Sequence, residues 1–172
     1  MSHSPNTGNY YIGKGIVTFT PEGEAIPIDL GNVTEFEFEP EVERLPHYSS
    51  REGVRTKDLE VVVEQSGVIR MIMEEWTPFN LSLLLLGDVE ETTEGTVINI
   101  MSRNAITGAI RFTGTNSVGP TWQFDFPKVQ FFPEGALSPI SDEWGGIELE
   151  GEVVIENGVV GTALQLTAPA TT

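Results

Sequence analysis

Val33-Thr34-Glu35-Phe36-Glu37-Phe38-Glu39-Pro40-Glu41-Val42-Glu43 places a glutamate at every second position from 35 to 43, with Phe36 and Phe38 between the first three. A period of two belongs to an extended strand, whose successive side chains point to opposite faces. One face of this strand is therefore carboxylate and the other aromatic. Glutamate is a poor strand former, so propensity does not account for the acidic row. A second alternating segment lies near the C-terminus. In Ile147–Glu156, Glu148, Glu150 and Glu152 fall on one face and Ile147, Leu149 and Val153 on the other.

Between these rows the pattern predicts more strands. Ile12–Thr20 reads as one, followed by a turn at Pro21-Glu22-Gly23-Glu24 and a short extended piece from Ala25 to Leu30. Pro27 suits an edge position in that piece. Leu59–Glu64 and Val68–Trp76 read as two strands separated by a Ser66-Gly67 turn. Asp88–Gly95 reads as an acidic loop, and Thr96–Met101, Ala105–Thr113 and Thr121–Phe132 as strands. In the last of these, Trp122, Phe124 and Phe126 share one parity. Asn157-Gly158 is a strong hairpin signal, which Val159–Leu166 would complete. Gly13-Lys14-Gly15 lacks the rest of a phosphate loop and suits a bulge or a close backbone approach.

One helix is expected, over Pro78–Leu86. Thr77 is a good N-cap, Pro78 suits the first helical position, and Gly87 suits the stop. Leucines surround most of its circumference, so it must be covered on more than one side. Leu81, Leu84 and Leu85 are the candidates for that packing, and one covered side can belong to a partner subunit. Short strands with regular turns and a single helix give the expected class: an all-β sandwich or barrel with one flanking helix, in a single domain spanning 1–172.

Residues 40–57 show no sustained period and read as a long loop. They hold Arg44, Arg51, Arg55 and Lys57, four of the nine basic residues, together with His47 and Tyr48. Long loops in compact domains are usually functional or disordered. The ends read as an N-terminal arm, 1–11, and a small-residue tail, 167–172.

The chain of 172 residues carries 26 acidic and 9 basic residues, a formal charge of −17. That excess argues against a protein that grips DNA or an anionic membrane. It does not exclude one that nucleic acid passes without adhering. The absence of cysteine removes disulfides, thiolate catalysis and cysteine-ligated zinc. The N-terminal residues contain no apolar signal core, and the longest apolar run, Leu83–Leu86, is far too short to cross a membrane. The expectation is a soluble protein that is not exported by a visible signal.

No catalytic residue, metal site or cofactor is expected. His47 is the sole histidine outside the N-terminal arm, and a lone loop histidine beside Tyr48 and Ser49 is most often surface. The carboxylate rows are exposed faces more often than acid–base pairs. The acidic clusters Asp88–Glu94 and Asp142-Glu143 lack the spacing of a helix–loop–helix calcium site.

The order of motifs resembles a known family. Leu30-Gly31-Asn32-Val33 leads into a strand, followed by His47-Tyr48-Ser49-Ser50-Arg51-Glu52-Gly53 and Thr56-Lys57-Asp58. Thr77-Pro78-Phe79-Asn80-Leu81 opens the helix, and Ser141-Asp142-Glu143-Trp144 precedes the strand ending Leu149-Glu150-Gly151-Glu152-Val153. Over Gly31–Val153 this is similar to the major tail tube proteins of long-tailed bacteriophages. The fold is shared with contractile-tail and type VI secretion tube proteins. The resemblance implies a β-sandwich flanked by a helix, hexameric rings, and rings stacked into a tube for genome ejection. It implies a virion tail location after synthesis in the host cytoplasm. Its partners would be further copies of itself, a tape-measure protein and tail-end proteins, with DNA passing through unbound and no membrane involved. Glu35, Glu37, Glu39, Glu148, Glu150 and Glu152 become candidates for the lumen face. Arg44, His47, Tyr48, Arg51, Arg55 and Lys57 become candidates for contacts between subunits or rings. The alternative is a monomeric β-sandwich binding module, for instance for glycans, with Trp122 and Trp144 as stacking platforms.

Overall fold

A computed structural model describes residues 4–51 and 53–166. The start of the expected N-terminal arm, Glu52 and the expected tail at 167–172 lie outside the described residues. The all-β reading holds, with ten strands and one short α-helix among the described residues. The strands are β1 Gly13–Pro21, β2 Ile28–Asp29, β3 Val33–Ser49, β4 Thr56–Met73, β5 Asp88–Thr92, β6 Gly95–Asn99, β7 Ile106–Asn116, β8 Thr121–Phe132, β9 Ile147–Val153 and β10 Thr162–Leu166. The helix α1 spans Pro78–Leu85.

Eight strands form one antiparallel sheet in the order β2-β1-β7-β8-β9-β4-β3, with β10 also on β8. β3 and β7 are far apart in that order. Even so, the Phe36 ring stacks on Phe112 with centroids 5.5 Å apart, and Phe38 lies 4.8 Å from Phe126. The sheet is therefore curled on itself. Irregular register between Gly108 and Ile110, opposite Pro127-Lys128, supplies part of the bend. The concave side holds the core: Phe19, Ile69, Met71, Ile110, Phe131, Ile147 and Leu149 are fully buried there.

Four local readings change. β4 is continuous through Ser66-Gly67, which is not a turn. A Cβ on Gly67 would lie 2.4 Å from the Phe38 ring, so the glycine makes room for an aromatic side chain lying across the strand. Asp88–Gly95 is not a loop: β5 and β6 pair from Asp88↔Asn99 to Thr92↔Gly95. Asn157 and Gly158 do form a turn, with φ of 52° and 82°, but β10 does not return along β9. It pairs with Thr121–Asp125 of β8, while β9 pairs with Val129–Phe132 of the same strand. The two strands lie end to end on one edge of β8.

The fourth change is at the helix stop. Leu86, not Gly87, takes the left-handed conformation, with φ 45°. Burial of the Leu86 side chain offsets that strain. Gly87 is needed for close approach, since a Cβ there would lie 2.6 Å from Ile98 Cγ2. The helix start follows the expectation. Thr77 Oγ1 accepts the Asn80 backbone N–H at 3.1 Å, and Pro78 opens the first turn. Thr77→Ala is expected to lower stability by about 1 kcal/mol in urea unfolding, through loss of that cap.

Candidate functional site

The two glutamate rows meet on one surface. β4 runs between β3 and β9, and the registers align them rung by rung. Glu35 and Glu148 both stand opposite Ile72, Glu37 and Glu150 opposite Arg70, and Glu39 and Glu152 opposite Val68. Ile69, Met71 and Met73 of the same strand point into the core, so the glutamates occupy the convex face. Six carboxylates thus flank a single cation, Arg70, on these three rungs. Arg70 donates from Nη1 to Glu39 at 2.6 Å and from Nε to Glu150 at 2.9 Å. Those two hydrogen bonds, Glu39 first, hold its pKa above the ordinary arginine value. A shallow depression of about 250 Å³ lies beside it, lined by Glu35, Glu37, Arg70, Glu134, Glu148 and Glu150. No group of three or more His, Asp or Glu among the described residues is arranged to hold a metal ion. A surface of this sign offers a polyanion no counterion release.

Residues 40–57 are not a loop. β3 continues to Ser49 and β4 begins at Thr56, with only residues 50–55 between them. β9 ends its pairing at Val153↔Gly67, and beyond that point β3 and β4 form a two-stranded ribbon with no third strand among the described residues. The ribbon extends about nine residues past the sheet, roughly 30 Å at the usual rise. Its pairing shifts between Glu43 and Arg44 and between His47 and Tyr48. Extra residues in β4 at those points disrupt its alternation. Polarity on β3 also inverts there: Leu45 follows the glutamates on the convex side, and Arg44 falls on the other. Pro40 and Pro46 are tolerated because β3 is an edge strand.

This arm is apolar on a surface that none of the described residues covers. Leu45 and Leu59 are 60% and 59% exposed, and Val61, Val62 and Val63 are exposed beside them. Leu45 faces Val61 and His47 faces Leu59 across the ribbon. Isolated two-stranded ribbons are marginal in water and gain stability from a further packing layer. Several of its cations already have partners. Arg44 lies 3.7 Å from Glu60, Lys57 hydrogen-bonds the same carboxylate, and the Arg55 guanidinium sits 5.3 Å from the Tyr48 ring centre. The Lys57 hydrogen bond lowers the Glu60 pKa. His47 Nδ1 lies 2.6 Å from Asp58 Oδ1.

Residues 10–109, more than half of the chain, match a family model described as Protein of unknown function UCP028589. The chain belongs to that family. No curated protein matches the chain. The UCP028589 span includes the whole arm, the Glu35–Glu39 row and the helix, and it stops before β8 and β9. The second acidic row therefore lies outside it.

The helix uses most of its leucines within the chain. Leu83 and Leu84 are buried, Leu81 and Leu85 are half-buried, and α1 packs against β8, β9 and the β5–β6 hairpin. Trp122 is half-buried with its ring stacked near Phe124, centroids 6.4 Å apart, whereas Trp144 stands in solvent. The two tryptophans are thus in unlike settings and do not form a matched pair of platforms. Two features escaped the sequence reading. One is the aromatic seam where Phe36 and Phe38 face Phe112, Phe124 and Phe126. The other is the exposed Leu45–Leu59–Val61 surface. The alternating Trp122, Phe124 and Phe126 carried the signal for the first. Nothing in the local pattern marked the second, because three adjacent valines look like a buried strand.

Proposed function

We propose that this protein is a structural subunit that polymerises as stacked rings into a tube, the tail tube of a long-tailed bacteriophage, through which the genome passes. The observation that carries the reading is the β3–β4 arm. It is a ribbon about 30 Å long with no third strand among the described residues, and its apolar side chains stand in water. A monomer gains nothing from such a projection, whereas neighbouring copies can cover it. The acidic convex face supports the same reading from another side. It is wide, nearly single-signed, and suited to lining a conduit for DNA that must not stick. On this reading hexameric rings stack, a tape-measure protein occupies the tube during assembly, and tail-end proteins close it.

The monomeric binding module keeps one observation in its favour, the exposed ring of Trp144. Negative-stain electron microscopy of the purified protein at milligram-per-millilitre concentration separates the two. Rings or tubes are the expected result. Particles that stay monomeric at every concentration, together with glycan capture, would transfer the case to the binding module.

A further inference from the structure

Ile140 and Trp144 are 95% and 94% exposed, the highest values among the large apolar side chains of the described residues. Both stand on the segment 133–146, which is tied down at its far end. Trp76 Nε1 donates to the Gly145 carbonyl at 2.9 Å, and Gly146 approaches Ile72 of the convex face. The segment lies over the acidic face where Met73 pairs with Ile147, and Glu134 lines the depression there. It carries Glu134, Asp142 and Glu143 and no cation.

The arm leaves from the opposite end of the same three strands, at the Gly67↔Val153 pair. Its charge changes along its length. Glu41, Glu43 and Glu64 stand at the base. Farther out, Arg44 and Lys57 share Glu60 and His47 meets Asp58, while Arg51 and Arg55 near the tip have no carboxylate partner among the described residues. Leu45, Leu59 and Val61 lie between base and tip. The 133–146 segment and the distal arm thus both present apolar surface, and the segment's carboxylates are matched in sign by Arg51 and Arg55 at the arm's tip. Within one copy they sit at opposite ends of β4 and do not meet.

We propose that Trp144 and Ile140 of one copy dock on the Leu45–Leu59–Val61 surface of a second copy's arm, head to tail. This rests on the assembly reading above and names the contact that would join successive copies along the strand direction. Because each copy presents both halves of the contact, one contact leaves the other half free, and the series propagates. The acidic base repels the acidic segment, and Arg51 and Arg55 at the tip attract it, which sets the docking position along the arm. Trp144 would be the anchor, as large aromatic rings are at interfaces generally.

The absence of cysteine makes the test direct. Ile140→Cys and Leu59→Cys are prepared separately, mixed and oxidised, with Ser117→Cys on an exposed turn as the control. A mixed disulfide dimer well above the Ser117→Cys level is expected. In parallel, Ile140→Ser with Trp144→Ser should keep the unfolding midpoint, since both side chains are already in water. It should raise the concentration needed for polymer by about tenfold or more. If wild type polymerises but the mixed dimer stays at control level, the contact proposed here is wrong and the assembly reading stands. If wild type stays monomeric and no mixed dimer forms, both fall. Glycan capture through Trp144 without the mixed dimer overturns the proposal in favour of the binding module.

Discussion

Replacing residues 44–63 by Asn-Gly is expected to abolish assembly while leaving the body of the protein folded. Glu43 and Glu64 are directly paired, so a two-residue turn can join them without shifting the register below. The arm contributes none of the buried core, which is drawn from the body strands and α1. Its removal should therefore move the unfolding midpoint little. The effect on assembly should be all or none at accessible concentrations. Each copy loses an apolar surface that water cannot satisfy and a neighbour can, and interface anchors of this kind are worth several kcal/mol each. Sedimentation velocity reads the polymer, and circular dichroism with thermal unfolding reads the body. Polymer formed by the shortened protein would show that the arm is dispensable and would remove the observation on which the assembly reading rests. A milder variant, Leu45→Ser with Leu59→Ser, should act in the same direction. Its side chains are exposed in the single copy, so any loss of polymer comes from lost contact and not from lost folding.

The acidic rows were legible in the sequence because each strand there has a core on one side and water on the other. That asymmetry writes a period of two into Glu35–Glu39 and Glu148–Glu152. Their meeting across β4 was not legible, since register between strands distant in sequence leaves no local mark. The arm failed for the opposite reason. Past Pro40 neither face has a core, so nothing enforces alternation, and the shifts at Glu43/Arg44 and His47/Tyr48 scramble what remains. A glycine completed the disguise. Gly67 signalled a turn because its neighbour Phe38 was unknown. The Asn157-Gly158 turn was read correctly and its consequence was not. A turn fixes local geometry, but whether the next strand pairs backward or crosses to a vacant edge of β8 depends on what that edge offers.

If the convex face lines the path of the genome as proposed, reversing its charge is expected to turn a surface that DNA would pass into one that retains it. The residues must be chosen so that the sheet itself is not disturbed. Glu39 and Glu150 hold Arg70, and Glu37 stands directly opposite it, so lysine at any of these puts two cations together or strips a partner from one. Glu35 stands opposite Ile72 and Glu152 opposite Val68, both are exposed, and neither is ion-paired among the described residues. Glu35→Lys with Glu152→Lys should therefore leave folding and assembly near wild type. Each copy then presents two added cations in place of two carboxylates, repeated around a ring if copies close into one. Counterion release makes polyanion binding grow steeply with the number of phosphates contacted and fall steeply with salt. The expected result is polymer that co-sediments with DNA at low salt and releases it by about 200 mM, where wild-type polymer retains none at either salt. In assembled particles the same substitutions should slow genome release. Substituted polymer that still ignores DNA at low salt would mean that this face does not line the path, and the lumen would have to be sought on another surface of the sheet.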